Sequence, residues 1–241
     1  MANTFLSSAT SPAKPRVAVI GAGAFGGWIA LHLNRLGAEV DLVDAWGPGN
    51  SRSSSGGEGR AFRTIYGPDR IYMEMAKPSL ELWKSLEHDT GTRVYLETGA
   101  LWMMQTDDSY IRTALPVMAD LDLPVAGLSP SEAARRYPQI DFDGINSVFL
   151  EQHAGVLLAR ESCRRVVEQF SREGGSYKSA TVSPWTTSDN ATNALQLEDG
   201  TTLQSDHFVF ACGPWLGRLF PDLLSRSILP TRQEVYYFGT P

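Results

Sequence analysis

The 241-residue sequence predicts an α/β fold, with a doubly wound, Rossmann-type dinucleotide-binding domain and a second, α+β lobe. Three observations carry that expectation. Gly21-Ala22-Gly23-Ala24-Phe25-Gly26 lies between an apolar run, Val17 to Ile20, and a helix-like segment, Ala24 to Leu36; strand, glycine turn and helix together make a pyrophosphate socket. Gly37 then stops the helix, and a second strand, Glu39 to Val43, ends in Asp44, 18 positions past Gly26. Much later, His207 to Ala211 reads as a continuous apolar strand of a buried parallel sheet, running into Cys212-Gly213-Pro214-Trp215 and a short helix.

Each part of the first unit has a physical reason. The first glycine permits the sharp turn, the second lets phosphates approach the backbone, and the third lets helix and strand pack closely. Amides at the helix N-terminus face the anion. Asp44 stands where a carboxylate accepts hydrogen bonds from a ribose hydroxyl, and there it repels a 2′-phosphate, which disfavours NADP. FAD and NAD both fit the pattern, and Gly-Ala turns also join strands to helices with no ligand.

The following segment, residues 46–59, has no hydrophobic period and is dense in turn formers, so it reads as a long loop at the carboxyl edge of the sheet, where ligands bind. Asp69 to His88 carries the apolar spacing of an amphipathic helix despite Pro78. Leu101 to Met104 reads as a strand, and Asp107 to Leu121 and Ser129 to Tyr137 as helices, the latter with Ser129 as N-cap and Glu132 three residues on. Prolines 116, 124, 130 and 138 mark this section as a separate lobe. Val148 to Leu150 resembles a strand and Ala159 to Glu173 a helix stopped by Gly174-Gly175. Ser179 to Val182, Ala194 to Leu197 and Thr201 to Leu203 read as short strands around an Asp199-Gly200 turn, and Gln233 to Phe238 alternates weakly.

Composition narrows the function classes. A net charge of −6 and a pI near 5.2 argue against nucleic acid or an anionic membrane surface as partner. No run of 18 apolar residues occurs, so no membrane-spanning helix is expected. Cys163 and Cys212 form no C-x-x-C pair and stand beside no ligand set, which predicts buried thiols rather than a disulfide or a metal site. The four histidines fall at no metal or catalytic spacing. Residues 1–13 read as a disordered, Ser/Thr-rich leader with a weak transit-peptide character, and the absence of a secretory signal suggests a cytoplasmic protein, or a peroxisomal one.

The glycine turn, Asp44, the loop Ser53-Ser-Ser-Gly-Gly-Glu-Gly-Arg60-Ala-Phe-Arg63 and the later Ala211-Cys-Gly-Pro-Trp215 occur in an order that resembles FAD-dependent amino acid and amine oxidases of the D-amino-acid-oxidase superfamily, of the sarcosine oxidase and N-methyltryptophan oxidase type. The resemblance runs from about Val17 to Phe238 and implies FAD as cofactor. It implies that Gly21, Ala22, Gly23, Phe25 and Gly26 cradle the pyrophosphate, that Asp44 holds the adenosine ribose, and that Ser54 and Ser55 approach the phosphates and ribityl chain. Arg60 would lie beside the isoalloxazine ring as a fixed positive charge. Arg63 would belong to a clamp on the substrate carboxylate, which suits a guanidinium. The backbone of Val182 would contact adenine, and Cys212, Gly213 and Trp215 would form the turn packed against the cofactor. Gly59 and Gly56 depart from the Thr or Ser and the His usual there. Read without the resemblance, Arg60 and Arg63 are also compatible with surface charges paired to Glu58 or Asp69.

The implied domains are a FAD-binding domain over 14–95 and 147–218 and a substrate lobe over 96–146 and 219–241. The implied chemistry is oxidation of a C–N bond in an amino acid or secondary amine to an imine, with oxygen as acceptor and hydrogen peroxide as product. The superfamily continues beyond the equivalent of Pro241, so one alternative is a non-catalytic FAD-binding module completed by another segment or chain. A second alternative is an NAD-dependent dehydrogenase.

Overall fold

The computed structural model describes residues 13–185, 193–236 and 239. The expected leader lies outside them except for residue 13, as do two of the residues expected to alternate near the C-terminus; Gln233 to Tyr236 form no strand. Two compact units are present, one of residues up to Ser54 together with those from Phe170 onward, the other Ser55–Gln169.

The first unit is built on a parallel sheet. Strand β1 (Arg16–Ile20) is followed by helix α1 (Ala24–Arg35) and β2 (Glu39–Asp44), as the sequence predicts. α1 packs along β1 and β2, burying Gly26, Gly27, Ala30 and Leu31, and ends through Leu36 before Gly37. The second unit opens with β3 (Gly59–Phe62), α2 (Arg70–Thr90), β4 (Tyr95–Leu96) and β5 (Ala100–Met104). It continues through α3 (Ser109–Asp120), β6 (Val125–Leu128), α4 (Pro130–Arg136), β7 (Ser147–Glu151) and β8 (Gly155–Leu158). Helix α5 (Ala159–Arg172) leads into β9 (Ser176–Ser179), β10 (Ala194–Gln196), β11 (Thr202–Gln204) and β12 (His207–Phe210), followed by a 3₁₀ turn (Gly213–Trp215) and two short helices, α6 (Leu216–Leu219) and α7 (Pro221–Leu224).

The parallel sheet has the order β12-β1-β2-β9. Its register sets Val17 beside His207 and Val40, and Asp44 beside Ser179. Because side chains alternate along a strand, Ala18, Ile20 and Val43 share one face, where they pack with Leu195, Leu197 and Leu203 of the β10–β11 hairpin. The last parallel strand is three residues earlier than expected. Ser176–Ser179 is polar enough to hide from a hydrophobic scan, yet it is an edge strand whose backbone, rather than its side chains, completes the sheet.

The second unit holds two antiparallel three-stranded sheets, β3-β8-β4 and β5-β7-β6. Ile65, Met73, Ile111, Ala114, Met118, Leu123 and Phe149 form its main core. Compactness divides the chain near 55 and 170, whereas the sequence suggested 96, 147 and 219. The cause is that β3 and β4 pair with β8 instead of joining the parallel sheet. The strands β3, β4, β6 and β8, absent from the sequence reading, owe their existence to pairings with distant segments, β6 with β7 and the others among themselves.

Candidate cofactor and substrate sites

The glycine turn is stretched across the carboxyl ends of three parallel strands. The Gly21 amide donates to Val43 O at 2.7 Å, and the Ala211 amide donates to Ile20 O at 2.7 Å. Gly21 has φ +105°, a conformation that L side chains rarely adopt, and a Cβ there would stand 2.6 Å from Ala211 O. A Cβ on Gly26 would stand 1.7 Å from Gly21 O, so the first turn of α1 lies directly against the loop. Gly23 is the N-cap, makes no side-chain cap, and the first turn holds no acidic residue. The helix N-terminus is thus a backbone cradle with no acidic residue in its first turn, which suits a pyrophosphate. Phe25, in the first turn, is 81% exposed.

Asp44 organises the cradle. Its Oδ2 accepts from the Ala22 amide at 2.8 Å, while Oδ1 accepts from the Trp46 and Gly47 amides at 2.8 and 2.7 Å. One carboxylate thereby ties the glycine turn to the loop after β2. A carboxylate has about four acceptor positions, so one on Oδ2 remains for a hydroxyl. The loop itself is a series of tight turns: Asn50 Nδ2 donates to Gly47 O at 2.7 Å, and Ser53 Oγ donates to Asn50 O at 3.0 Å. Trp215 seals it, with its Nε1 donating to Arg52 O at 3.3 Å and its ring 4.7 Å from that of Trp46. The Arg52 guanidinium lies 5.0 Å above the Trp46 ring.

Cys212 Sγ donates to Ile20 O at 3.3 Å. Burial, with a smaller contribution from the Asp44 charge, pushes its thiol up to about 12, which makes it a packing group rather than a nucleophile. Gly213 begins a short 3₁₀ turn that ends at Trp215. Val182 bridges Leu197 and packs against the hairpin core. Ser54 is the last residue of this unit's first segment. Among the expected cofactor residues, Gly21, Ala22, Gly23, Gly26, Asp44, Cys212 and Gly213 gather at one edge of the sheet; Trp46 and Arg52 join them unforeseen.

Ser55, Arg60 and Arg63 belong to the second unit. The Ser55 carbonyl accepts a weak bond from Cys163 Sγ at 3.9 Å. Arg60 folds back on its own loop, its Nη1 donating to Gly59 O at 2.7 Å and its Nη2 to Gly56 O at 2.6 Å. Glu58 pairs instead with Arg160 at 3.4 Å. Arg63 is exposed and has no carboxylate partner among the described residues. Its guanidinium carbon lies 5.1 Å from the centre of the Tyr66 ring and 5.5 Å from that of Trp102. Beneath this aromatic seat is Glu151, 1% exposed, which accepts from the Thr64 amide, from Thr64 Oγ1 at 2.7 Å and from Trp102 Nε1 at 3.0 Å. The sequence held one signal of this group, an acid at the end of the apolar run Val148-Phe-Leu.

Residues 16–241 match the family model described as DAO, FAD dependent oxidoreductase. The chain belongs to this family. Its members use FAD, so FAD rather than NAD is the cofactor. Among relatives, the monomeric sarcosine oxidase of Bacillus sp. (strain B-0618) is 28% identical over 226 residues, covering 92% of this chain and 57% of the relative. The peroxisomal sarcosine oxidase of Mus musculus is 28% identical over 212 residues, covering 85% and 52%. A crystal structure of L-proline dehydrogenase from P. horikoshii superposes with a TM-score of 0.72 at 21% identity, over 86% of this chain and 55% of that one. The chain thus spans about half the length of the proteins it matches. Its family is that of FAD-dependent oxidoreductases, and its relatives include sarcosine oxidases. Among the described residues no helix is long and apolar enough to cross a membrane, and no cluster of His, Cys, Asp and Glu could hold a metal ion.

Proposed function

We propose that this polypeptide is the FAD-binding and part of the substrate-binding portion of an oxidase that converts the C–N bond of an amino acid or secondary amine to an imine, with oxygen as acceptor and hydrogen peroxide as product. The observation that carries the reading is Arg63: an exposed guanidinium, without a carboxylate partner among the described residues, held on Tyr66 and Trp102. A planar cation so held is prepared for a carboxylate in two parallel hydrogen bonds. The sarcosine and amino acid oxidases among its relatives support the donor class.

The glycine turn at the start of α1 would hold the pyrophosphate, and Asp44 would hold a ribose hydroxyl. Ser54 and the Val182 backbone would add cofactor contacts from the same unit, and Gly213 and Trp215 would close the turn beside them. When bound, FAD supplies the two-electron acceptor for hydride from the carbon next to nitrogen. Arg60 would supply a fixed positive charge that favours the negative charge developing on the reduced cofactor. Arg63 orients the substrate through its carboxylate, converting a bimolecular encounter into a positioned one. We place the protein in the cytoplasm or the peroxisome, the latter in view of the mouse relative.

An absorption spectrum of the purified protein tests the cofactor, with bands expected near roughly 370 and 450 nm for bound flavin. A screen of amino acids and secondary amines coupled to peroxide detection tests the reaction. In it, Arg63→Ala raises KM for carboxylate-bearing substrates far more than for plain amines; equal effects remove Arg63 from the clamp. A yellow protein without turnover on any amine replaces this reading with that of a FAD-binding module completed by a further segment or chain.

A further inference from the structure

Resting on the clamp assigned to Arg63, we infer that Glu151 is the positioning residue that fixes Arg63 for its carboxylate ligand, acting through Trp102 on one side and Thr64 on the other. Glu151 is buried at the end of β7, and none of the described residues offers it a cation. A buried carboxylate in an apolar core is expensive unless donors surround it. Here the donors are three, and every one belongs to the immediate frame of Arg63. The Thr64 amide and hydroxyl fix the backbone at the residue next to Arg63, and the Trp102 indole N–H fixes the plane of a ring that carries the guanidinium.

The arrangement is a line of carboxylate, indole and guanidinium. Hydrogen bonding to an anion enriches the π-system of the indole, and a richer face holds a cation more strongly. Glu151 therefore serves Arg63 twice, by geometry and by electrostatics, while touching neither Arg63 nor substrate. A solely structural carboxylate would have no need of donors from both sides of one exposed arginine.

The test uses the full 241-residue chain, ¹H–¹⁵N spectra of arginine Nε–H groups, and acetate as the carboxylate probe. The Arg63 signal is identified by its loss in Arg63→Lys and is expected upfield, shifted by the ring currents of Tyr66 and Trp102. Glu151→Gln moves it toward the position of free arginine and weakens acetate binding about threefold or more; in a Trp102→Phe background the same change has a smaller effect. Leu203→Val, a core change in the separate cluster of the β10–β11 hairpin, moves neither. Should Glu151→Gln fail to fold by circular dichroism, Thr64→Val cuts a bond of the same carboxylate and shifts the same signal. An Arg63 resonance and acetate affinity unchanged in the folded Glu151 or Thr64 variant overturn the inference. If wild type binds no acetate, the clamp reading falls instead, and the inference falls with it as a statement about ligand positioning.

Discussion

A methyl group at Gly26 would stand 1.7 Å from the carbonyl oxygen of Gly21, and that oxygen is backbone, with no side-chain freedom to move aside. Gly26→Ala is expected to cost about 3 kcal/mol, the upper range for overpacking, and to abolish flavin retention; denaturant unfolding and the visible spectrum check both. Asp44 is a different kind of residue, since its two oxygens satisfy three backbone amides. Asp44→Ala leaves those amides unpaired and is expected to cost about 2–3 kcal/mol and to weaken FAD retention, measured by melting and by dialysis. Unchanged flavin occupancy in that variant would remove the ribose contact. Cys212 makes the alkaline prediction. Its folded thiol is pushed up to about 12, so above an ordinary thiol value the folded state retains a proton that the unfolded chain has lost. Stability contributed by the neutral thiol is complete below about pH 9 and declines toward pH 12, and Cys212→Ala flattens that limb of a pH–stability curve.

Elements with local signals were legible in the chain, and those defined by distant partners were not. Helix α1 announces itself by glycine before and after, and α4 by Ser129 and Glu132, which form both bonds of a capping box. The Ser129 hydroxyl, then its amide, hold the Glu132 carboxyl below the usual carboxylate range. That contribution is present above the ordinary glutamate range and is lost as pH falls. Ser129→Ala is expected to cost about 1 kcal/mol near neutrality, and less in acid where Glu132 is protonated in both forms; thermal melts at two pH values check it. By contrast β3 is the tail of a glycine-serine loop, and β8 runs directly into α5 without a turn residue. Both are strands because Gly59–Phe62 and Gly155–Leu158 pair with each other. The polar β9 likewise exists through β2. The same distinction divides the sites. Gly21 and Asp44 could be read from spacing, whereas Trp46, Arg52 and Trp215, or Glu151, Thr64 and Trp102, meet only after folding.

At the scale of the molecule, the proposed FAD site couples cofactor binding to folding of the first unit, because the cradle is made of its strand ends. FAD at a hundredfold excess over its dissociation constant is expected to stabilise that unit by about 2.7 kcal/mol, read as a rise in melting temperature that Asp44→Ala diminishes. An unfolding transition indifferent to FAD would separate the cradle from the cofactor. The pairing of β1 with β12 has one more result. Arg16 bonds to Asp206 across 190 positions, and Ile20 receives the Ala211 amide. During synthesis, then, the glycine turn emerges early and waits unsupported on one side until β12 has left the ribosome. The nascent chain can acquire its flavin on this cradle only after β12 has been made, and chains arrested before residue 207 should emerge colourless.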